Sequence, residues 1–221
     1  MPLPILYSLQ HCPYAMRARM GLFLSNQAVM LRAVITRNKP AEMLAASPKG
    51  SIPVLVIDDK TVIDESLDIM IWALCKNDPH YLLYNDEPDA LAAMLELIAQ
   101  NDNEFTISLS KYKQAKRFHE DSEVHYRQQC ELFVHQLETR LNTYKFFMGQ
   151  KPSLADYAIL PFIRQFARVD RKWYLNAPYP KLQQWLTYHL QSSSFSKVMK
   201  KYPLWLDQHE AFLFGNDSRS N

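Results

Sequence analysis

The chain has 221 residues, 48% of them apolar, and a formal net charge of +2. That length suits one large domain or two small ones, and the apolar share supports a full core rather than disorder. The dispersed, near-neutral charge speaks against a nucleic-acid partner, and three scattered cysteines give no disulfide framework and point to a reducing compartment.

One basic run stands out, Lys111 to Arg117, and it reads as a solvated helix face. The N-terminus lacks the basic region of a signal peptide, and no apolar stretch reaches the ~18 residues that a membrane span needs. The expectation is a soluble, cytoplasmic protein with no membrane partner.

In chain order, residues 3–8 read as a strand and 13–25 as a helix with apolar residues at helical spacing. Residues 28–34 read as a second strand, so one crossover predicts parallel pairing. A turn at 37–40 precedes a short helix at 40–46, and Ser47-Pro48-Lys49-Gly50-Ser51 is a loop by composition. Residues 52–57 and 61–63 form a hairpin around Asp58-Asp59-Lys60, and a helix follows over 65–77. The order β-α-β-α-β-β-α marks an α/β domain at 1–78. The polar, proline-bearing stretch 79–88 reads as a linker. Residues 89–221 read as an all-helical domain, with helices at 89–110, 120–145, 154–170, 180–190 and 195–201. Ser153 and Asp156 match a capping box, a device of folding rather than of chemistry.

The junction of the first strand and helix carries the chemistry: His11-Cys12-Pro13-Tyr14-Ala15-Met16-Arg17. Pro13 suits the first helical position, where the missing N–H costs nothing. A thiol at a helix N-terminus faces unpaired N–H groups and the positive end of the dipole, which favour thiolate over thiol. Arg17, one turn on, adds positive charge. Ala15 stands where a second cysteine would complete a dithiol, so redox chemistry at Cys12 needs an external thiol. Cys75 and Cys130 lie inside apolar helical patterns and read as core fillers. The seven histidines show no metal-binding spacing, and no metal is expected.

Four motifs in this order resemble those of the cytosolic glutathione S-transferases: Cys12-Pro13-Tyr14-Ala15, Gly50-Ser51-Ile52-Pro53-Val54-Leu55, Asp64-Glu65-Ser66, and Ser153 to Asp156 at a helix start. The resemblance covers nearly the whole chain. The cysteine at its start is similar to the omega-type and related bacterial members. The resemblance implies a thioredoxin-like N-terminal domain, a helical-bundle C-terminal domain and a homodimer. It implies glutathione as substrate, with Cys12 as nucleophile and Pro53 as a cis-proline. The Ile52 backbone would pair with the peptide-like middle of glutathione, and Glu65 and Ser66 would hold its γ-glutamyl end. Lys39 matches a further glutathione contact, with Lys49 as its rival.

Ser25-Asn26 replaces the usual glycine after the first helix, which Asn tolerates. Tyr7 reads as a core aromatic rather than as the catalytic tyrosine of other classes. The resemblance together with a cysteine implies thiol transfer or dehydroascorbate-type reduction through a Cys12–glutathione mixed disulfide. Two alternatives stand beside it: conjugation of electrophiles, and a binding protein without catalysis. The acceptor is not legible. Its pocket is expected between the halves, and the aromatics Phe105, Tyr112, Phe118, Tyr157 and Phe166 read as core before lining.

Overall fold

A computed structural model describes residues 2–215. They fall into two compact units. The first takes the chain up to His80 and again from Ser192 onward, and the second is Tyr81–Gln191.

The first unit is built on a five-stranded sheet in the order β4-β3-β1-β2-β5. Its strands are β1 (Ile5–Ser8), β2 (Val29–Ala33), β3 (Val54–Val56), β4 (Val62–Ile63) and β5 (Phe212–Phe214). β1 and β2 run parallel, as the crossover requires, and the other pairs are antiparallel. With α1 (Pro13–Leu24), α2 (Ala41–Ala46) and α3 (Ser66–Lys76), the N-terminal half has the thioredoxin-like order β-α-β-α-β-β-α. Tyr7, Val34, Met43 and Val54 form the core between the sheet and α2, so Tyr7 is a core residue.

α1 and α3 form the most extensive helix pair in the protein. Gly21 permits it: a β-carbon there would come within 2.6 Å of the Met70 Cα. α1 is not amphipathic. Arg17 and Arg19 are both buried within it, 1% and 2% exposed.

β5 corrects the reading of an all-helical second half. Met30 pairs with Leu213, so β5 occupies the edge of β2. The expected span 89–221 and the compact second unit therefore part company at Ser192. Past that point the chain forms α10 (Ser193–Val198) and α11 (Trp205–Gln208) within the first unit.

The second unit holds α4 (Ala90–Gln100), α5 (Thr106–Phe118), α6 (Glu123–Thr143), α7 (Leu154–Val169), α8 (Arg171–Asn176) and α9 (Pro180–Leu190). A π-turn, Asn101–Phe105, separates α4 from α5, where periodicity suggested one helix. The polar stretch 79–88 holds the boundary between the units and also contributes buried residues. Leu82, Leu83 and Tyr84 are buried, and the Leu82 carbonyl accepts from the Leu154 N–H. Phe105, Tyr112 and Phe166 are core, with the Phe166 ring against both of the others, whereas Phe118 is exposed.

The start of α7 is held by Asp156, which is fully buried. Its carboxylate accepts from the Ser153 N–H and hydroxyl at 2.9 and 2.7 Å. It also accepts from the Phe147 N–H at 3.0 Å and the Trp185 indole at 2.8 Å. The sequence showed only the cap.

Beside it, His189 is buried among the rings of Phe146, Tyr157, Trp185 and Tyr188. Burial pulls its pKa down to about 3. The unfolded chain therefore takes up a proton near pH ~6.5 that the folded chain refuses. Its contribution is intact above that value and is lost as pH falls toward 3, at about 1.4 kcal/mol per pH unit. Burial raises the Asp156 carboxyl, which works oppositely: its contribution is present at low pH and falls as pH rises. Urea midpoints between pH 7 and pH 5 should drop more steeply in wild type than in His189→Phe. Parallel slopes would refute the assignment.

Candidate active site

Cys12 is the N-cap of α1, with Pro13 at the first helical position. Its side chain is half-buried and makes no capping hydrogen bond. The thiol turns away from its own helix and donates to the Ile52 carbonyl at 3.7 Å. The Ile52–Pro53 peptide is cis. Ile52 lies just outside the β1–β3 ladder, which starts at Val54 opposite Tyr7. The thiol thus sits beside a stretch of backbone not used by the sheet.

Two loops complete this end of the sheet. Gly50 has φ +63°, a conformation that disfavours any side chain. A β-carbon there would lie 3.7 Å from the Lys39 ammonium. Lys39 therefore arches over the loop that leads into Ile52. Lys49 takes a different post and pairs with Glu65. Both groups are largely exposed, so this pair is worth at most about 1 kcal/mol and yields to a better partner. Glu65 occupies the N-cap position of α3 without a side-chain capping bond, and Ser66 is the first helical residue, buried. The Arg17 guanidinium donates to the Ser66 hydroxyl at 3.5 Å. Ser47 donates to Asp64 at 2.6 Å and ties the preceding loop to this corner.

Arg17 thus serves Ser66. The cation tied to the Cys12 loop is Arg19, which sequence reasoning passed over. Arg19 makes five hydrogen bonds, all to uncharged acceptors. They go to the Val198 carbonyl, the Ser8 hydroxyl, the Leu9 and Gln10 carbonyls and the Met199 sulfur. Burial pulls its pKa down, and negative charge on Cys12 and Tyr202 acts in the opposite direction. The one signal in sequence was a second arginine two places after the first, within an apolar helix.

Cys130 is buried, and burial pushes its thiol up to about 12. Cys75 is exposed, contrary to its apolar setting, because it falls one position off the buried stripe Ile69, Met70, Ala73 and Leu74. Among the described residues no cluster of three or more His, Cys, Asp or Glu could hold a metal ion.

The N-terminal domain model of the glutathione S-transferases matches residues 6–80, and their C-terminal domain model matches residues 72–192, more than half the chain. This chain belongs to the glutathione S-transferase family. It is 28% identical to mouse glutathione S-transferase omega-1 over 181 residues, 81% of this chain and 73% of that protein. Among solved structures, it is similar to a glutathione S-transferase-I bound to lactoylglutathione. The TM-score is 0.75 at 21% identity, covering 89% of this chain and 98% of the other. A Pseudomonas fluorescens glutathione transferase family member with two bound glutathiones gives 0.77 at 18% identity, covering 89% and 92%. At these identities the structures speak for the fold of this transferase. No helix among the described residues is long and apolar enough to cross a membrane.

Proposed function

We propose that this transferase binds glutathione at Cys12, Ile52, Glu65 and Ser66 and performs thiol transfer with Cys12 as nucleophile. The observation that carries the reading is the 3.7 Å contact between the Cys12 thiol and the Ile52 carbonyl. A peptide that pairs with the Ile52 backbone as an added strand brings its own sulfur to Cys12. Ser66 at the N-terminus of α3, with Arg17 behind it, suits a carboxylate. Glu65 would exchange Lys49 for the substrate's ammonium. Lys39, beside Gly50, has the reach to meet the other end of the ligand. Pro53 holds Ile52 at the rim.

In the first step, the Cys12 thiolate attacks the glutathionyl sulfur of a mixed disulfide. That S–S bond breaks, a Cys12–glutathione disulfide forms, and the released thiolate takes a proton. A second glutathione thiolate then attacks the glutathionyl sulfur on Cys12. Oxidised glutathione leaves and the Cys12 thiolate is restored. The reading extends to a cytoplasmic homodimer without a resident metal.

Wild-type protein should reduce a glutathione mixed disulfide faster than it conjugates a chloronitrobenzene; the reverse order would favour conjugation. Ser66→Ala should weaken glutathione binding by about 1–3 kcal/mol, because it leaves a charged carboxylate short of a partner. The fold should be little affected, since only a long bond to Arg17 is lost. Calorimetry on the variant decides, and unchanged affinity would remove Ser66 from the site.

A further inference from the structure

α2 follows directly on Lys39 and Pro40, and its own packing is slight. It has six residues, of which only Met43 is buried, and its N-cap Pro40 brings no side-chain capping bond. A helix this short is not stable by itself and stays where its contacts put it. Its first turn is nevertheless gripped. The Trp205 indole N–H donates to the Glu42 carboxylate at 2.5 Å, across 163 residues of sequence. The Arg32 guanidinium of β2 lies 3.6 Å from the same carboxylate and 3.8 Å from the centre of the Trp205 ring, and it donates to the Tyr7 hydroxyl at 2.8 Å. Trp205 opens α11, which has no buried residue and is laid beside β2 by the bridge between Leu204 and Ala33. All of these residues belong to the first unit. α2 and α11 therefore brace each other over one arginine. The far end of α2 faces the Gly50 loop: a β-carbon at Gly50 would lie 3.3 Å from a Leu44 methyl and 3.7 Å from the Lys39 ammonium. Lys39 thus stands over the approach to Ile52 only while α2 is in place.

We propose that Trp205 is a positioning residue for glutathione: by holding Glu42 it fixes the start of α2, and with it the Lys39 ammonium. The proposal rests on the reading of Lys39 as a glutathione contact. Glu42 lies three residues past Lys39, so releasing its carboxylate from Trp205 loosens the turn that carries the lysine. A lysine on a loosened turn must be ordered by the ligand, at a cost in affinity. One on a fixed turn is ordered already. Trp205 itself touches neither the ligand nor Cys12 in this arrangement. Its whole effect on glutathione passes through Lys39.

The test is glutathione binding, measured by calorimetry in a double-mutant cycle. Trp205→Phe keeps a ring over Arg32 and removes the indole N–H. It should weaken glutathione about threefold, against about fivefold for Lys39→Met, which loses one part-exposed charge contact. In the Lys39→Met background, Trp205→Phe should have no further effect, because no lysine is left to position. Glu42→Ala should match Trp205→Phe. Glu42→Gln keeps an oxygen for the indole and should stay near wild type, a rescue that a general loosening of the fold would not give. Urea midpoints establish that each variant is folded. Wild-type affinity in Trp205→Phe, or an equal loss with and without Lys39, overturns the assignment and leaves the glutathione site as described. Lys39→Met at wild-type affinity would instead strike Lys39 from that site, and the role of Trp205 would fall with it.

Discussion

Cys12→Ser is expected to bring glutathione-dependent disulfide reduction down to background, a loss of ~10³-fold or more, while glutathione still binds. The substitution keeps the size and one hydrogen-bonding group. It removes the only atom of the side chain that can form a disulfide with glutathione. Ile52, Glu65 and Ser66 are untouched, so calorimetry should find an affinity near that of wild type. The serine hydroxyl can still donate to a bound sulfur, and conjugation of a chloronitrobenzene should persist or rise, because no mixed disulfide captures the glutathione. Rates with a glutathione mixed disulfide, dehydroascorbate and the chloronitrobenzene separate the readings. A conjugating enzyme with an incidental cysteine would keep all its activities. A binding protein would have none before or after. Retained disulfide reduction in the variant would end the case for Cys12 as nucleophile and leave the family assignment intact.

Asp156→Ala is the second large effect, and it falls on stability. A helix cap alone is worth about 1 kcal/mol. Here one carboxylate serves four donors, among them the Phe147 N–H and the Trp185 indole. All are enclosed with it, and each buried donor left without an acceptor costs about 1–3 kcal/mol. The sum is limited by relaxation, and a loss of about 3–5 kcal/mol is expected. Asp156→Asn keeps an acceptor for Phe147 and Trp185 and sets an amide against the Ser153 N–H, so it should cost roughly half as much. Denaturant midpoints read both. Turnover per folded molecule should not change, because no part of the proposed chemistry touches this corner. A variant of normal stability and lost turnover would contradict that.

The elements most legible in sequence were those whose signals are local. Pro13 after a strand, the Asp58-Asp59-Lys60 turn and the loop at Ser47–Ser51 all mark boundaries by backbone preference, and the structure keeps them within one or two residues. What escaped depends on distant partners. Phe212-Leu213-Phe214 is too short to show alternation and is a strand only because β2 offers an unpaired edge. Leu82, Leu83 and Tyr84 sit in a polar stretch whose composition says linker, but they are buried one by one against their own unit. Cys12 could be read as reactive from its own neighbours. Ile52, Glu65 and Ser66 could not, since Ser and Glu at a helix start are ordinary capping choices. Only the order of motifs singled them out. The resemblance alone puts Lys39 ahead of its rival Lys49; in the structure Lys39 lies beside Gly50 and Lys49 pairs with Glu65. Arg19 was hidden because a buried arginine in a helix looks like any solvated one until its acceptors are known.

Those acceptors set a schedule for synthesis. The Val198 carbonyl that Arg19 requires is made 179 residues after Arg19 itself. The edge of β2 waits longer still for β5. A nascent chain emerging at ~5–20 residues per second therefore carries an incomplete sheet through the whole translation of the second unit. For that interval the β2 edge stays unpaired. The second unit, contiguous from Tyr81 to Gln191, closes without waiting for either end. In vectorial synthesis, the middle unit has all its own residues first, and the unit that carries Cys12 is completed last.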